Sequence, residues 1–289
     1  MILYWQERWD GMKLHILHCG EIRVSPAMPY GNSLDLKTAA KLLSAPEKDR
    51  ITLPVSVYLI EHPKGLILVD TGWCRELSPE GAYDPKAARQ VLSPALAALY
   101  HPLLPAGMAV DEQLAAMGIQ PQDLAAVILT HLDPDHVAGL RHVQKARHII
   151  LPEDEYFWSC RMVYKNRQPQ KLWLDYPMER PYYRGSPLGP AGWAIDLFGD
   201  ESLQLVNLPG HTDGQAAVLV RNGRRFVLLA ADAVYSPRNW QEGITPGFGF
   251  DRERQKKSLA WIAQMAADPG CAAVLCSHDP AQAPGVIEF

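Results

Sequence analysis

Short apolar runs bounded by turn residues recur along the chain and predict two sets of β-strands. In the first half the runs occupy 12–24, 53–61, 66–69, 125–129 and 148–151, and in the second half they occupy 203–208, 216–220, 225–230 and 272–276. Runs of this kind, rich in Val, Ile and Leu, are typical of buried strands. The dipeptide Asn222-Gly223 predicts a tight hairpin turn between two strands of the second set.

Stretches with helical periodicity lie between these strands and after them. The predicted helical stretches lie at 36–43, 86–100, 111–117 and 252–267. Pro94 should break the second of them into two pieces, because proline lacks the backbone N–H that a helix interior requires. Asp111 and Asp251 are the predicted N-caps of the third and fourth. Two sets of strands, each followed by helix, predict an α/β (α+β) fold: an αββα sandwich of two mixed β-sheets flanked by helices.

A length of 289 residues allows one large domain or two small ones, and the two sets of strands favour a single αββα-type domain. The 289 residues include 47% apolar and 21% charged side chains, which suits a protein with a substantial core. We therefore predict one domain over 1–289, in which 1–11 is an optional N-terminal extension because Met12 could be a natural start. The net charge of −4 argues against a nucleic-acid partner. No apolar run reaches the roughly 18 residues of a membrane span, so no membrane partner is expected.

The cysteines bear on the cellular compartment. Five of them are scattered along the chain without a C-x-x-C pair. This pattern, together with the lack of a signal-peptide pattern at the start, predicts reduced, buried thiols in a cytoplasmic protein.

Candidate chemistry concentrates in the stretch 130–139, T-H-L-D-P-D-H-V-A-G, directly after a predicted buried strand. Four side chains able to bind a metal ion fall within six residues: His131, Asp133, Asp135 and His136. A strand end is held rigidly yet opens onto the edge of the sheet, and a metal site needs both conditions. The alternative interpretation is a solvated turn, since Asp and Pro are common turn residues.

Three further candidate ligands follow later strands. His211 lies after 203–208, Asp232 after 225–230 and His278 after 272–276. Each is a weak signal alone, but a strand followed by His or Asp occurs four times, and this repetition favours a metal site. Asp70 also ends a predicted strand, where it could orient a ligand histidine or simply cap a turn.

The order H-x-D-x-D-H, P-G-H-T, D-A-x-Y and S-H-D resembles the metallo-β-lactamase superfamily, and within it the N-acyl-homoserine-lactone lactonase group. The similarity also covers Leu53-Pro54-Val55 through Asp70-Thr71-Gly72, and Gly249-Phe250-Asp251. It extends over about 50–280 and leaves out much of 153–193. The resemblance implies a metallo-β-lactamase-type sandwich with two metal ions at its edge.

The resemblance also implies a role for each candidate residue. His131, Asp133 and His211 would hold one divalent ion, and Asp135, His136 and His278 the other. Asp232 would bridge the two ions, and Tyr235 would lie beside the substrate carbonyl, although a core aromatic is the simpler interpretation of a lone tyrosine. Zinc is the expected metal, with Mn or Fe as alternatives.

The expected activity is that of a metal-dependent hydrolase acting on ester bonds. A hydroxide bridging the ions would attack the carbonyl carbon of an N-acyl-homoserine lactone or a related small-molecule lactone or ester. Tyr235 would stabilise the oxyanion, and Asp135 or Asp232 would pass a proton to the leaving alkoxide. The alternatives are a glyoxalase II-type thioesterase, a phosphodiesterase, a β-lactamase, or a non-catalytic ligand-binding protein with an altered metal site.

This chain has Asp133 at the position where the family pattern H-x-H-x-D-H has its second histidine. Aspartate is a competent ligand for a divalent ion, but its arm is shorter than that of histidine. With three carboxylates facing two divalent cations, the net charge of the site would be about +1 before hydroxide binds. More oxygen ligands favour harder ions such as Mn²⁺ or Fe.

The stretch 153–193 is an aromatic and basic insertion. Tyr and Trp side chains alternate there with Arg and Lys, a mixture that suits an aromatic lid over a pocket or the interface of a homodimer. The alternative is a helical insertion packed on the core. The loop 25–52 is expected to form a flap, and both segments would shape a pocket for the acyl part of the substrate.

Overall fold

Two six-stranded β-sheets form the centre of the protein in a computed structural model that describes residues 11–162 and 164–289. The strands are β1 (Lys13–Val24), β2 (Ile51–His62), β3 (Gly65–Val69), β4 (Leu124–Ile128), β5 (Ile149–Ile150), β6 (Arg184–Gly185), β7 (Trp193–Asp196), β8 (Leu203–Asn207), β9 (Ala216–Asn222), β10 (Arg225–Leu229), β11 (Cys271–Leu275) and β12 (Gly285–Glu288). The first sheet has the order β12-β1-β2-β3-β4-β5 and the second β11-β10-β9-β8-β7-β6. Both sheets are mixed, since β3, β4 and β5 run parallel in the first and β10 and β11 in the second.

The helices cover the outer faces of the sheets. They are α1 (Ala27–Tyr30), α2 (Leu36–Ser44), α3 (Pro85–Val91), α4 (Pro94–Tyr100), α5 (Val110–Ala116), α6 (Pro134–Val137), α7 (Leu140–Val143), α8 (Glu153–Ser159), α9 (Pro237–Glu242) and α10 (Arg252–Ala267). In the part of the chain that the structure describes, no helix combines the length and the apolar character needed to cross a bilayer.

Three layers of apolar side chains separate the four layers of secondary structure. Alternate residues of β2 show how the layers arise. Val57 and Leu59 pack towards α3, α4 and α5, whereas Tyr58 and Ile60 pack between the two sheets. On the far side, Leu259 and Ile262 of α10 cover the second sheet. Because both faces of the central strands are buried, their sequences are nearly continuous apolar runs. The predicted αββα sandwich is confirmed.

Most predicted elements are confirmed to within one or two residues at their ends. Pro94 does divide the helical stretch 86–100, and it occupies the first turn of α4, where its missing N–H costs nothing. Asp251 does cap α10, since its side chain accepts a hydrogen bond from the Arg254 N–H. The prediction for Asp111 is wrong: α5 begins at Val110 after Ala109, whose N–H donates instead to Glu112 Oε2 at 3.0 Å.

The predicted extension 1–11 lies outside the described residues except for Gly11. The five cysteines are free, as expected, but their predicted burial is wrong for Cys160, which is exposed, and for Cys271, which is half-buried. Cys160 follows the last residue of α8 in the insertion, and that stretch lies at the surface.

The two sheets meet at one edge, where several strands end. Backbone hydrogen bonds tie the sheets together there, from the Ala216 N–H to the Thr130 carbonyl at 2.9 Å and from the Ser56 N–H to the Ser277 carbonyl at 2.8 Å. The carboxyl ends of parallel strands meet at the same edge of a sheet and commonly carry ligand-binding residues. The segments after β3, β4, β8, β10 and β11 are therefore brought to this one place.

Candidate metal centre

Side chains from five separate strand ends converge at this edge. All seven residues predicted as ligands are buried, with at most 3% of their surface exposed: His131, Asp133, Asp135, His136, His211, Asp232 and His278. Potential ligand atoms fall into two groups, one of His131, His211 and Asp232 and one of Asp135, His136 and His278. Within each group these atoms lie within 4.8 Å of one another. The fold thus gathers residues that are up to 147 positions apart in the sequence.

The local backbone conformation sets the positions of these side chains. Asp133 precedes the single turn of α6, Pro134 occupies the first position of that turn, and Asp135 and His136 follow within it as buried residues. Asp70 and Ala231 have left-handed backbones, with φ of 61° and 48°, which few residues other than glycine adopt. Such strained positions concentrate at functional sites. Here the left-handed turn at Ala231 directly precedes the buried carboxylate of Asp232.

Asp232 lies between the two groups. Its Oδ1 is 3.1 Å from His136 Nε2, and its Oδ2 is 3.3 Å from His278 Nε2 and 3.6 Å from His211 Nε2. A carboxylate that faces histidines of both groups has the position required of a bridging ligand.

Hydrogen bonds at the outer ring nitrogens orient all four histidines. His136 Nδ1 donates to Asp70 Oδ2 at 2.8 Å, and His278 Nδ1 donates to the Pro54 carbonyl at 2.7 Å. His211 Nδ1 donates to the Phe248 carbonyl at 3.3 Å. For His131, Nδ1 lies 3.0 Å from the Thr130 hydroxyl. A neutral imidazole that carries its proton on Nδ1 would present the Nε2 lone pair to the centre, as metal-binding histidines do.

Several buried polar atoms at the centre lack the partners that burial normally demands. Within residues 11–162 and 164–289, Nε2 of His131, His136 and His278 accepts or donates no hydrogen bond, and the same holds for Asp135 Oδ2 and Asp232 Oδ1. A buried polar atom without a partner costs about 1–3 kcal/mol. Five such atoms facing one another fit divalent metal ions, which take imidazole nitrogen and carboxylate oxygen as ligands.

Asp133 has partners that the sequence did not reveal. The Arg167 guanidinium donates from Nε to Asp133 Oδ1 at 2.8 Å and from Nη2 to Oδ2 at 2.6 Å. Gln168 Nε2 donates to Oδ1 at 3.2 Å. Burial raises the pKa of the Asp133 carboxyl, but the Arg167 charge and the nearby His131 and His211 rings outweigh it and hold that pKa well below its usual value. Asp133 is therefore a carboxylate.

Asp133 nevertheless faces the first group. Its Oδ2 lies 3.0 Å from His211 Nε2 and 3.7 Å from His131 Nε2, separations typical of two ligands around one ion.

Tyr235 lies against the second group. Its ring stacks on the His278 ring at a centroid distance of 5.1 Å and an interplanar angle of 24°, and only 2% of the residue is exposed. The Tyr235 N–H donates to the Asn239 side chain at 2.9 Å, which fixes the backbone of the residue at the start of α9.

The described centre matches a known family in sequence. The family model of the metallo-beta-lactamase superfamily matches residues 50–278 of this chain. The chain belongs to the metallo-beta-lactamase superfamily. That assignment covers every candidate ligand from His131 to His278.

Relatives within the superfamily include enzymes that carry the name lactonase. N-acyl homoserine lactonase AttM of Rhizobium johnstonii is 30% identical over 235 residues, covering 79% of this chain and 83% of AttM. N-acyl homoserine lactonase AiiB of Agrobacterium fabrum is 27% identical and covers 96% of this chain and 97% of its own. A solved N-acyl homoserine lactone hydrolase, with N-hexanoyl-L-homoserine at its catalytic metal centre, superposes with a TM-score of 0.70 at 21% identity over 93% of both chains.

Residues of the insertion 153–193 complete the superfamily centre in this chain. Arg167 and Gln168 contact Asp133, and Gln168 Nε2 also donates to Glu155 Oε1 at 2.8 Å. Glu155 in turn accepts hydrogen bonds from the Leu132 N–H and the Thr212 hydroxyl, beside the candidate ligands His131 and His211. The aromatic and basic character of this stretch gave no sign of these contacts, and only the three-dimensional structure identifies them.

Proposed function

We propose that the protein is a metal-dependent lactonase that opens the ring of N-acyl-homoserine lactones or related lactones. The cluster of buried, partnerless ligand atoms at the sheet edge is the observation that carries this proposal. The lactonase names of AttM and AiiB support the substrate class, since both relatives align with more than three quarters of the chain. In the cell such an activity would be quorum quenching, the term used for a solved structural neighbour.

Two divalent metal ions are the proposed cofactors. His131, Asp133 and His211 would hold one, Asp135, His136 and His278 the other, with Asp232 between them. Zinc suits the four imidazoles, while the three carboxylates leave Mn and Fe as candidates. When bound, such ions lower the pKa of water to near neutrality and polarise a carbonyl oxygen.

The protein's own side chains would then act on the substrate. Tyr235, held by its stacking on His278, would place its hydroxyl near the lactone carbonyl and donate to the oxyanion that develops there. Asp232 or Asp135 would take a proton as the nucleophile forms and return it to the alkoxide that leaves when the ring opens. Asp135 belongs to the second group and Asp232 lies between the two groups, and both carboxylates are buried, so bulk water would compete little with such a transfer.

Aromatic side chains near the first group would receive the apolar part of the substrate. The Phe248 ring lies edge-on to His211 at 5.8 Å and to Tyr100 at 6.5 Å between ring centroids. Tyr100 is itself buried against Trp73, edge to face at 5.8 Å. Such a wall suits an acyl chain, because apolar contact there needs no hydrogen-bonding partner.

The proposed setting is a cytoplasmic protein that acts on a small molecule and forms a homodimer. Five free cysteines support a reducing compartment. The insertion exposes large apolar side chains, namely Phe157 at 60%, Met162 at 84% and Tyr182 at 65%, which support a subunit contact. Light scattering of the purified protein tests the dimer, and a monomer at micromolar concentration would contradict it.

Ring opening releases a proton at neutral pH, so the proposed activity is tested with a pH indicator and N-acyl-homoserine lactones of different acyl length. We expect turnover that disappears after chelation and returns with Zn²⁺ or Mn²⁺. A thioester, a phosphodiester and a β-lactam serve as comparison substrates. Failure to open any lactone, alongside clear hydrolysis of one of these three, would overturn the lactonase proposal. Less than one bound metal per chain, with no hydrolysis at all, would instead favour a non-catalytic protein.

A further inference from the structure

Arg167 fixes the Asp133 carboxylate from the side opposite the metal centre. Its guanidinium forms a fork on the carboxylate, with contacts of 2.8 Å to Oδ1 and 2.6 Å to Oδ2. Its remaining nitrogen, Nη1, donates to the His211 carbonyl at 2.9 Å, and the guanidinium lies 4.4 Å above the centre of the Phe248 ring. These last two contacts hold the guanidinium in place independently of Asp133.

The fork and Gln168 leave Asp133 a single free direction. A carboxylate offers about four lone-pair sites on its two oxygens. Oδ1 accepts from Arg167 and Gln168, and Oδ2 accepts from Arg167. The direction on Oδ2 that neither of these residues occupies faces Nε2 of His211, 3.0 Å away and within hydrogen-bond distance. The carboxylate is therefore arranged to offer one lone pair towards the space between His131 and His211.

We propose that Arg167 is a positioning residue that converts Asp133 into a neutral ligand with a single free lone pair, equivalent to the histidine that the family pattern has at this position. An imidazole is neutral and offers one lone pair, and the Asp133–Arg167 pair offers the same. The guanidinium charge cancels the additional carboxylate, so the net charge of the two ligand groups equals that of a histidine-containing centre. The aspartate and the arginine thus form one functional unit.

The two single variants each leave one buried charge of this unit without its partner. In Asp133→His the Arg167 cation loses its carboxylate and remains buried beside three imidazoles, where it repels a divalent ion. In Arg167→Gln the Asp133 carboxylate loses its cation and remains buried, which destabilises the metal-free protein but lets an incoming ion supply the missing charge. The double variant Asp133→His, Arg167→Gln removes both charges and restores the ordinary family arrangement.

The test measures metal bound per chain during competition with a chelator, and the melting temperature of metal-free protein, for the parent and the three variants. We expect Asp133→His to bind its first-group ion roughly 10- to 100-fold more weakly than the parent, and the double variant to recover most of that loss. Arg167→Gln should lower the melting temperature of the metal-free protein by several degrees and enlarge the rise that Zn²⁺ produces. Arg167→Lys, which keeps the charge, should lose less stability than Arg167→Gln.

Arg180→Gln is the matched control. Arg180 also belongs to the insertion and also lies over an aromatic ring, that of Tyr156, but it pairs with Glu153 and is 39% exposed. Its substitution should leave metal binding unchanged. The proposal is overturned if Asp133→His binds metal as tightly as the parent, or if the double variant binds no better than Asp133→His. If Asp133→His does not fold, the decision rests on Arg167→Gln, and an unchanged metal-free melting temperature rejects the proposal.

The inference rests on the proposed metal centre but not on the proposed substrate. If the parent protein binds no divalent ion, the metal centre itself is wrong. Another outcome is that the parent binds two ions and opens lactones while the losses in metal affinity of Asp133→His and Arg167→Gln simply add up in the double variant. In that case only the role of Arg167 is wrong.

Discussion

Asp70 Oδ2 accepts a hydrogen bond from His136 Nδ1 at 2.8 Å, and both side chains are buried. The same carboxylate accepts from the Thr130 N–H and hydroxyl, so it is held by the strand end that leads to His131. Asp70 had two interpretations on the sequence alone, a turn cap or a support for a ligand histidine. The contact with His136 places it in the second role.

Asp70→Ala should weaken metal binding without removing a ligand. The His136 ring loses the acceptor that fixes its tautomer and orientation, an effect that typically costs 10- to 100-fold in metal affinity. Competition with a chelator measures this loss, and the isosteric Asp70→Asn should lose less because it keeps an acceptor oxygen. Unaltered affinity in Asp70→Ala would show that His136 is oriented without Asp70.

Tyr235→Phe should lower kcat while leaving metal content intact. Phenylalanine preserves the stacking on His278 but removes the hydroxyl that would donate to the oxyanion, and loss of one such donor typically costs at least roughly 100-fold in kcat. Steady-state kinetics with a lactone substrate and metal analysis of the same sample provide the two readouts. Tyr182→Phe is the control, because it removes a tyrosine hydroxyl from a residue of the insertion that is 65% exposed. Parent-like kcat in Tyr235→Phe would exclude the hydroxyl from the chemistry.

Local sequence patterns account for the strands and for the ligands at their ends. The strands β3, β4, β8 and β10 are largely buried on both faces, so their apolar runs stand out, and the next polar residue marks the edge of the sheet. The strand β11 also has an apolar sequence, although only Leu275 in it is buried. Asp232 and His278 could be predicted in this way because each is separated from its strand by only two residues.

Short or exposed strands gave no such signal. The residues of β6 are both exposed, and Gly285, Val286 and Glu288 of β12 are exposed as well, so neither strand has a clear apolar run. The pairing of β12 with β1 joins residues near opposite ends of the chain, which no local pattern encodes.

Arg167 illustrates why the candidate site could be predicted only in part. It lies in an irregular stretch between α8 and β6, 34 residues after Asp133, and its position depends on how that stretch folds back over the strand ends. The replacement of histidine by Asp133 did change the expected charge of the site. The sequence could not show which cation contacts Asp133, because the insertion contains several arginines and lysines and no local pattern distinguishes them.

Gly139→Ala should disrupt the ligand loop. A Cβ at this position would lie 2.1 Å from the Thr71 carbonyl oxygen, and the Gly139 N–H donates to the Gly72 carbonyl at 2.9 Å. Thr71 also binds the His136 carbonyl through its N–H and its hydroxyl, so a shift of either segment moves a ligand.

We expect Gly139→Ala to lower the free energy of unfolding by about 1–3 kcal/mol, the usual cost of overpacking, and to reduce bound metal. Urea denaturation and metal analysis measure these effects. Gly185→Ala is the control, because nothing lies within 4 Å of a Cβ there. Equal stability of the two variants would show that the loop accommodates the methyl group.

Glu155 provides a prediction of pH-dependent stability. It is fully buried and accepts hydrogen bonds from the Leu132 N–H at 3.1 Å, Gln168 Nε2 at 2.8 Å and the Thr212 hydroxyl at 2.6 Å. Burial raises the pKa of its carboxyl to about 7, from an ordinary value of 4.5. Between these two pH values the unfolded chain releases a proton that the folded protein retains. Stability therefore falls as the pH rises through this window and levels off above pH 7.

Glu155→Gln removes this titration and introduces an amide whose effect does not change with pH. At about 1.4 kcal/mol per pKa unit, the parent should lose about 3 kcal/mol of unfolding free energy relative to Glu155→Gln between pH 5 and pH 8. Urea denaturation of metal-free protein at both pH values measures the difference, and the comparison cancels the titration of all other groups. Glu242→Gln, at a carboxylate that is 52% exposed, should show no comparable change. A constant difference between the parent and Glu155→Gln across this range would mean that Glu155 is ionised throughout, and that its three donors outweigh the cost of its burial.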